Sequence, residues 1–124
     1  MKVPVLLVVD DDELVLELLN DILQDEFTVV TATDGPSALE KLRLLSDLDG
    51  VITDFDMPHM SGLELMWRIR QRYPTLPMVG LSGTLRSHHQ IAGRCPEGVV
   101  FLQKPFEVSE LLAVAQRLFQ PTGK

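Results

Sequence analysis

Five short apolar runs, each followed by a longer and more polar stretch, constrain this chain more than any other feature of its sequence. The runs fall at 3–9 (VPVLLVV), 28–32 (TVVTA), 50–53 (GVIT), 77–81 (PMVGL) and 98–103 (GVVFLQ). They are short, β-branched and apolar through their middles rather than alternating, which suits strands of a parallel sheet covered on both faces. Between them Leu14, Leu18, Leu19, Ile22 and Leu23 recur at helical spacing, as do Ala38, Leu42 and Leu45 and, less regularly, Leu63, Met66, Trp67 and Tyr73. The last such stretch is the clearest, with Val108, Leu111, Leu112, Ala115, Leu118 and Phe119 on one stripe. Residues 86–94 (RSHHQIAGR) predict only a weak helix, being polar, holding Gly93 and soon meeting Pro96. Strands alternating with helices predict right-handed βα units in an α/β fold, a doubly wound five-stranded parallel sheet with helices on both faces.

Doubly wound sheets place ligands beyond the carboxyl ends of their strands, at the point where strand order reverses. The residues just past each apolar run are therefore the place to look for chemistry. The first run ends in Asp10-Asp11-Asp12-Glu13, the third in Asp54 with Asp56 just beyond, the fourth in Ser82-Gly83-Thr84 and the fifth in Lys104-Pro105-Phe106. In a parallel sheet these groups share one rim. Asp12 or one of its neighbours could simply cap the first helix, where an acidic first turn suits the helix dipole. That accounts for one or two acids and not for Asp54 on another strand.

Carboxylates held together repel, and Lys104 supplies a single positive charge, so the group calls for a further cation. A hard divalent ion with oxygen ligands, Mg²⁺ before Ca²⁺, fits a site with few carboxylates and room for water and phosphate. Zinc does not fit: His88 and His89 are adjacent rather than at metal-ligand spacing, and they and His59 read as exposed loop or helix residues. A carboxylate beside such an ion and an ammonium is equipped to attack phosphorus. Asp54 would be the in-line nucleophile, Lys104 would neutralise the phosphoryl oxygens and Ser82 would donate a hydrogen bond to one of them.

With 124 residues the chain has room for one domain with a real core, about 3–119, and a short tail at 120–124. Its net charge of -7 argues against direct nucleic-acid binding and against attraction to anionic membranes. No stretch approaches a membrane span, and the opening apolar run ends in DDDE where a cleavage site would need small residues, so a cytoplasmic location is expected. A single cysteine, Cys95, cannot form an internal disulfide and reads as an inert thiol.

The motifs VVDDDE at 8–13, ITDFDMPHMSG at 52–62, LSGT at 81–84 and QKPF at 103–106, in that order and each at a strand end, resemble the receiver domain of bacterial two-component response regulators. The resemblance implies strand order 2-1-3-4-5. It makes Asp54 the phosphoacceptor for a phosphohistidine on a histidine kinase or phosphotransfer protein, with slow self-catalysed loss of the phosphoryl group rather than conventional enzymatic turnover. Mg²⁺ would be held by Asp10, Asp11, Asp54 and the backbone carbonyl of Asp56, with Asp11 direct and Asp10 largely through water. Lys104 would contact the phosphoryl group, Ser82 and Phe101 would form the switch, and the Lys104–Pro105 peptide would be cis. Where the family often has tyrosine, Phe101 lacks a hydroxyl. Arg94-Cys95-Pro96-Glu97-Gly98 stands where the family often has a small pair before the fifth strand, and the resemblance implies that Asp56 and Thr84 would flank the path of hydrolytic water.

Two other readings compete. DFD at 54–56 imitates the Asp-x-Asp of haloacid-dehalogenase-like phosphatases, but there the nucleophile comes after the first strand and the core is larger. A receiver-like module that is never phosphorylated would need a defect that the motifs do not show. Only 120–124 lie beyond Phe119, so the chain is expected to be a stand-alone receiver or one cut from a larger protein such as a hybrid histidine kinase.

Overall fold

In the computed structural model the described residues are 3–83 and 93–120. Strands β1 (Val5–Val9), β2 (Thr28–Ala32), β3 (Gly50–Asp54), β4 (Met78–Ser82) and β5 (Val99–Gln103) alternate with helices α1 (Glu13–Leu23), α2 (Gly35–Leu44), α3 (Gly62–Arg72) and α4 (Val108–Leu118). All but the last two residues of the weak helix expected at 86–94 lie outside the described residues. The sheet is parallel throughout, in the order β2-β1-β3-β4-β5. Order therefore reverses between β1 and β3, which places their ends at the switch point.

The three inner strands β1, β3 and β4 are almost wholly buried because both faces are covered, whereas the edge strands β2 and β5 are half-buried. Leu6, Val8, Ile52, Val79 and Leu81 pack with Leu16, Leu19 and Leu23 of α1 and Leu111, Ala115 and Phe119 at the end of the chain. On the opposite face Leu7, Val9, Val51, Phe55 and Met78 pack with Ala38 and Leu42 of α2 and Leu65, Met66 and Ile69 of α3. Gly50 is what lets the terminal helix close down: a Cβ there would lie 2.1 Å from the Phe119 ring.

The helices are phased differently from the simple apolar count. Leu14 and Leu18 of α1, Trp67 of α3 and Val108 of α4 are exposed, while Leu16, Leu65 and Ile69 take the inward positions. In α1 a polar stripe of Glu13, Glu17 and Asp21 faces solvent, but the helix carries more leucine than the opposite face can bury, so Leu14 and Leu18 fall beside that stripe.

Helix starts are set by side-chain caps. Asp12, Asp34 and Ser61 accept from the backbone N–H groups of Leu14, Ser37 and Glu64, satisfying donors that a first turn leaves orphaned. At the opposite end of the sheet the Arg70 guanidinium donates to the carbonyls of Tyr73 (3.1 Å), Leu76 (2.6 Å) and Glu97 (2.8 Å), joining the exit of α3 to the approaches of β4 and β5. Trp67 Nε1 donates to Arg94 O at 2.8 Å, anchoring the 94–98 segment before β5. Among the described residues no helix is long and apolar enough to cross a membrane.

Candidate functional site

The three consecutive acids after β1 divide into three environments. Asp10 is fully buried, its backbone N–H held by Ala32 O. Its Oδ1 accepts from Asp12 N at 2.9 Å and its Oδ2 from Lys104 Nζ at 3.0 Å. Asp12 turns away to cap α1, and Asp11 stays exposed on the rim between them. The capping argument thus applies to one acid of the three, which leaves two for chemistry.

Asp54 ends β3 beside them and is only 4% exposed. Its Oδ1 lies 3.5 Å from Lys104 Nζ, so a single ammonium bridges carboxylates from β1 and β3. Burial pushes the Asp54 carboxyl up to about 6, the Asp10 charge adds to that, and Lys104 and a hydrogen bond from Asp56 N oppose it. For Lys104 burial works against the charge, but the hydrogen bond to Asp10 and the charges of Asp54 and Asp10 outweigh it and hold its pKa above the usual value.

The rest of the rim is fixed by backbone contacts. Lys104 N donates to Ser82 O at 2.7 Å, so the ammonium-bearing residue and the buried hydroxyl residue are tied across the β4–β5 pair. The Lys104–Pro105 peptide is cis. Beyond Asp54, Phe55 N donates to Leu81 O at 3.1 Å and Gly62 N donates to Phe55 O at 3.0 Å, closing the 55–62 loop onto the strand end. Gly62 is required by this closure, because a Cβ there would sit 2.2 Å from Asp54 O. Asp56 is exposed and donates a long backbone bond of 3.4 Å to Asp54 Oδ1. Thr84, His88 and His89 lie outside the described residues, and His59 is exposed in the loop.

One carboxylate oxygen from each of Asp10, Asp11 and Asp54 falls within 4.8 Å of the others. Three carboxylates against one ammonium leave excess negative charge, and an all-oxygen donor set on an open rim fits a hard divalent cation. Phe101 is half-buried and stacks on Phe55, with centroids 5.6 Å apart and ring planes 20° from parallel. The strand-end argument does not find that contact, since the two rings meet across an intervening strand. Cys95 is half-buried and its thiol is pushed up to about 11 by burial, in keeping with an inert role.

A family model described as the response regulator receiver domain matches residues 6–116. The probable transcriptional regulatory protein TcrX of Mycobacterium tuberculosis is 33% identical over 118 residues, covering 94% of this chain and 50% of that protein. Among solved structures, chemotaxis protein CheY4 of Vibrio cholerae superimposes with a TM-score of 0.86 at 30% identity, covering 95% of this chain and 100% of that one. Response regulator protein TrrA of Thermotoga maritima, solved in complex with Mg²⁺ and BeF, gives 0.83 at 30% identity, covering 94% and 99%. This chain spans half or less of the first three full-length relatives it matches.

Proposed function

The chain belongs to the response regulator receiver family of two-component systems, and from that premise we propose that Asp54 accepts a phosphoryl group from a phosphohistidine. The donor is a histidine kinase or a phosphotransfer protein. The observation that carries this reading is the Lys104 ammonium reaching both Asp10 and Asp54, which gathers the ends of β1, β3 and β5 at one point.

In the transfer an Asp54 oxygen attacks phosphorus in line, the P–N bond to the donor imidazole breaks, and the imidazole leaves with that electron pair. Lys104 neutralises charge on the phosphoryl oxygens, and the Ser82 hydroxyl donates to one of them. Asp11 would hold Mg²⁺ directly and Asp10 through water, with Asp54 and the Asp56 carbonyl as the protein's remaining ligands. When bound, the ion offsets the excess negative charge of the crevice and of the incoming phosphoryl oxygens. Water later cleaves the acyl phosphate to inorganic phosphate and restores the Asp54 carboxylate.

The added charge and its bonds to Ser82 and Lys104 favour one of two arrangements of the β4 and β5 rim, with Phe101 as the second part of the switch. A partner or a linked domain reads the difference. Incubation with acetyl phosphate and Mg²⁺ and subsequent measurement of intact mass tests the chemistry. One added phosphoryl group, missing in Asp54→Asn, is the expected result, and an unchanged mass for the wild-type chain refutes the proposal.

A further inference from the structure

We propose that Phe55, the residue directly after the acceptor, is a positioning residue whose ring carries the state of Asp54 across Gly80 to Phe101. The inference rests on the acceptor reading and adds the route by which the switch is thrown.

Phe55 has little freedom at either end. Its N–H is bonded to Leu81 O of β4 and its carbonyl to Gly62 N of α3. Its ring is almost completely buried and lies directly over β4 at Gly80, where a Cβ would come within 2.3 Å of ring atoms Cε2 and Cζ. Any other residue at position 80 would push the ring off that strand. Gly80 is paired in register with Phe101, so a ring crossing Gly80 arrives at the Phe101 ring on β5, where the two stack.

The stack is more deeply buried at one end than at the other. Phe55 sits within the core, whereas Phe101 is half-buried at its edge. Ser82 lies two residues beyond Gly80 on the same strand and so on the same face. A phosphoryl group bonded to Ser82 therefore pulls on the strand that forms the floor under the Phe55 ring, while the same group is attached to the residue before Phe55. Both displacements converge on the ring pair. An aromatic pair of this kind biases an equilibrium by roughly 2- to 12-fold, enough to shift the balance between two positions of the Phe101 ring.

The test uses ring-¹³C phenylalanine labelling of the whole chain, with Phe55 and Phe101 resonances identified by single substitutions. Beryllofluoride with Mg²⁺ serves as the phosphoryl mimic, and its occupancy is read from its own ¹⁹F signals. In the wild type the Phe55 and Phe101 resonances are expected to move together, with one titration midpoint. In Phe55→Leu, with the mimic bound, the Phe101 response is expected to shrink at least twofold. A full Phe101 response in that variant, or a Phe55 ring that stays still while Phe101 moves, overturns the proposal. Should Phe55→Leu fail to fold, the parallel titration in the wild type decides alone. Mimic that binds without moving Phe101 refutes this route and leaves the acceptor reading standing; no bound mimic in the wild type sinks both.

Discussion

Replacing Asp54 by Asn in metal-free protein is expected to stabilise the fold, although it deletes the proposed acceptor. Burial and the Asp10 charge raise the Asp54 carboxyl from 3.8 to about 6. The folded chain thus binds that proton more tightly than the unfolded chain does. The carboxyl's contribution is favourable below about pH 4, declines as pH rises toward 6, and is lost above it. A displacement of about two pKa units corresponds to about 3 kcal/mol, which is the destabilisation the charged carboxylate imposes at pH 7.5. Asn has nearly the same shape, cannot ionise, and still offers an oxygen to Asp56 N. Urea denaturation in EDTA should accordingly give a variant more stable than wild type by up to about 3 kcal/mol at pH 7.5, on the order of 10 °C in Tm. The gap should close to near zero at pH 4. An advantage that is equal at both pH values, or a loss of stability at pH 7.5, would show that Asp54 is not the strained group in this crevice.

Three further outcomes rest on the same geometry. In EDTA at neutral pH, Lys104→Met should cost about 3 kcal/mol by leaving Asp10 and Asp54 uncompensated, and denaturation at pH 5 should show a smaller deficit. Mg²⁺ at ten times its Kd should stabilise the wild-type chain by about 1.4 kcal/mol in thermal melts, and Asp11→Asn should remove most of that gain. Gly62→Ala forces a methyl group toward Asp54 O, so it should lower stability by about 2 kcal/mol and weaken Mg²⁺ binding measured by titration calorimetry.

The sheet was legible because its strands are apolar through their middles. The expected run at 28–32 coincides with β2, and those at 50–53, 77–81 and 98–103 begin or end within a residue of β3, β4 and β5. Strand ends then converge by topology alone, which is why Asp10, Asp54, Ser82 and Lys104 could be named as one rim before any geometry. Less could be said wherever the answer depends on which way a helix is turned. Leu14 and Leu18 share the helical spacing of Leu19 and Leu23 yet face solvent, because α1 carries more leucine than one face can bury. The partition of Asp10, Asp11 and Asp12 among ion pair, rim and cap was likewise hidden, since all three have the same chemistry and only the turn into α1 separates them. The Phe55–Phe101 stack left no local signal at all: it depends on an absent side chain at Gly80, on a strand between them.

Arg70 gives the rim its mechanics from the far side of the molecule. By tying Leu76 and Glu97, just ahead of β4 and β5, to the exit of α3, it binds those two strands at their roots like pages at a spine. Their tips, where Ser82 and Lys104 sit, lie at the opposite ends of the same strands, so the root of the pair is held by contacts that the crevice does not share.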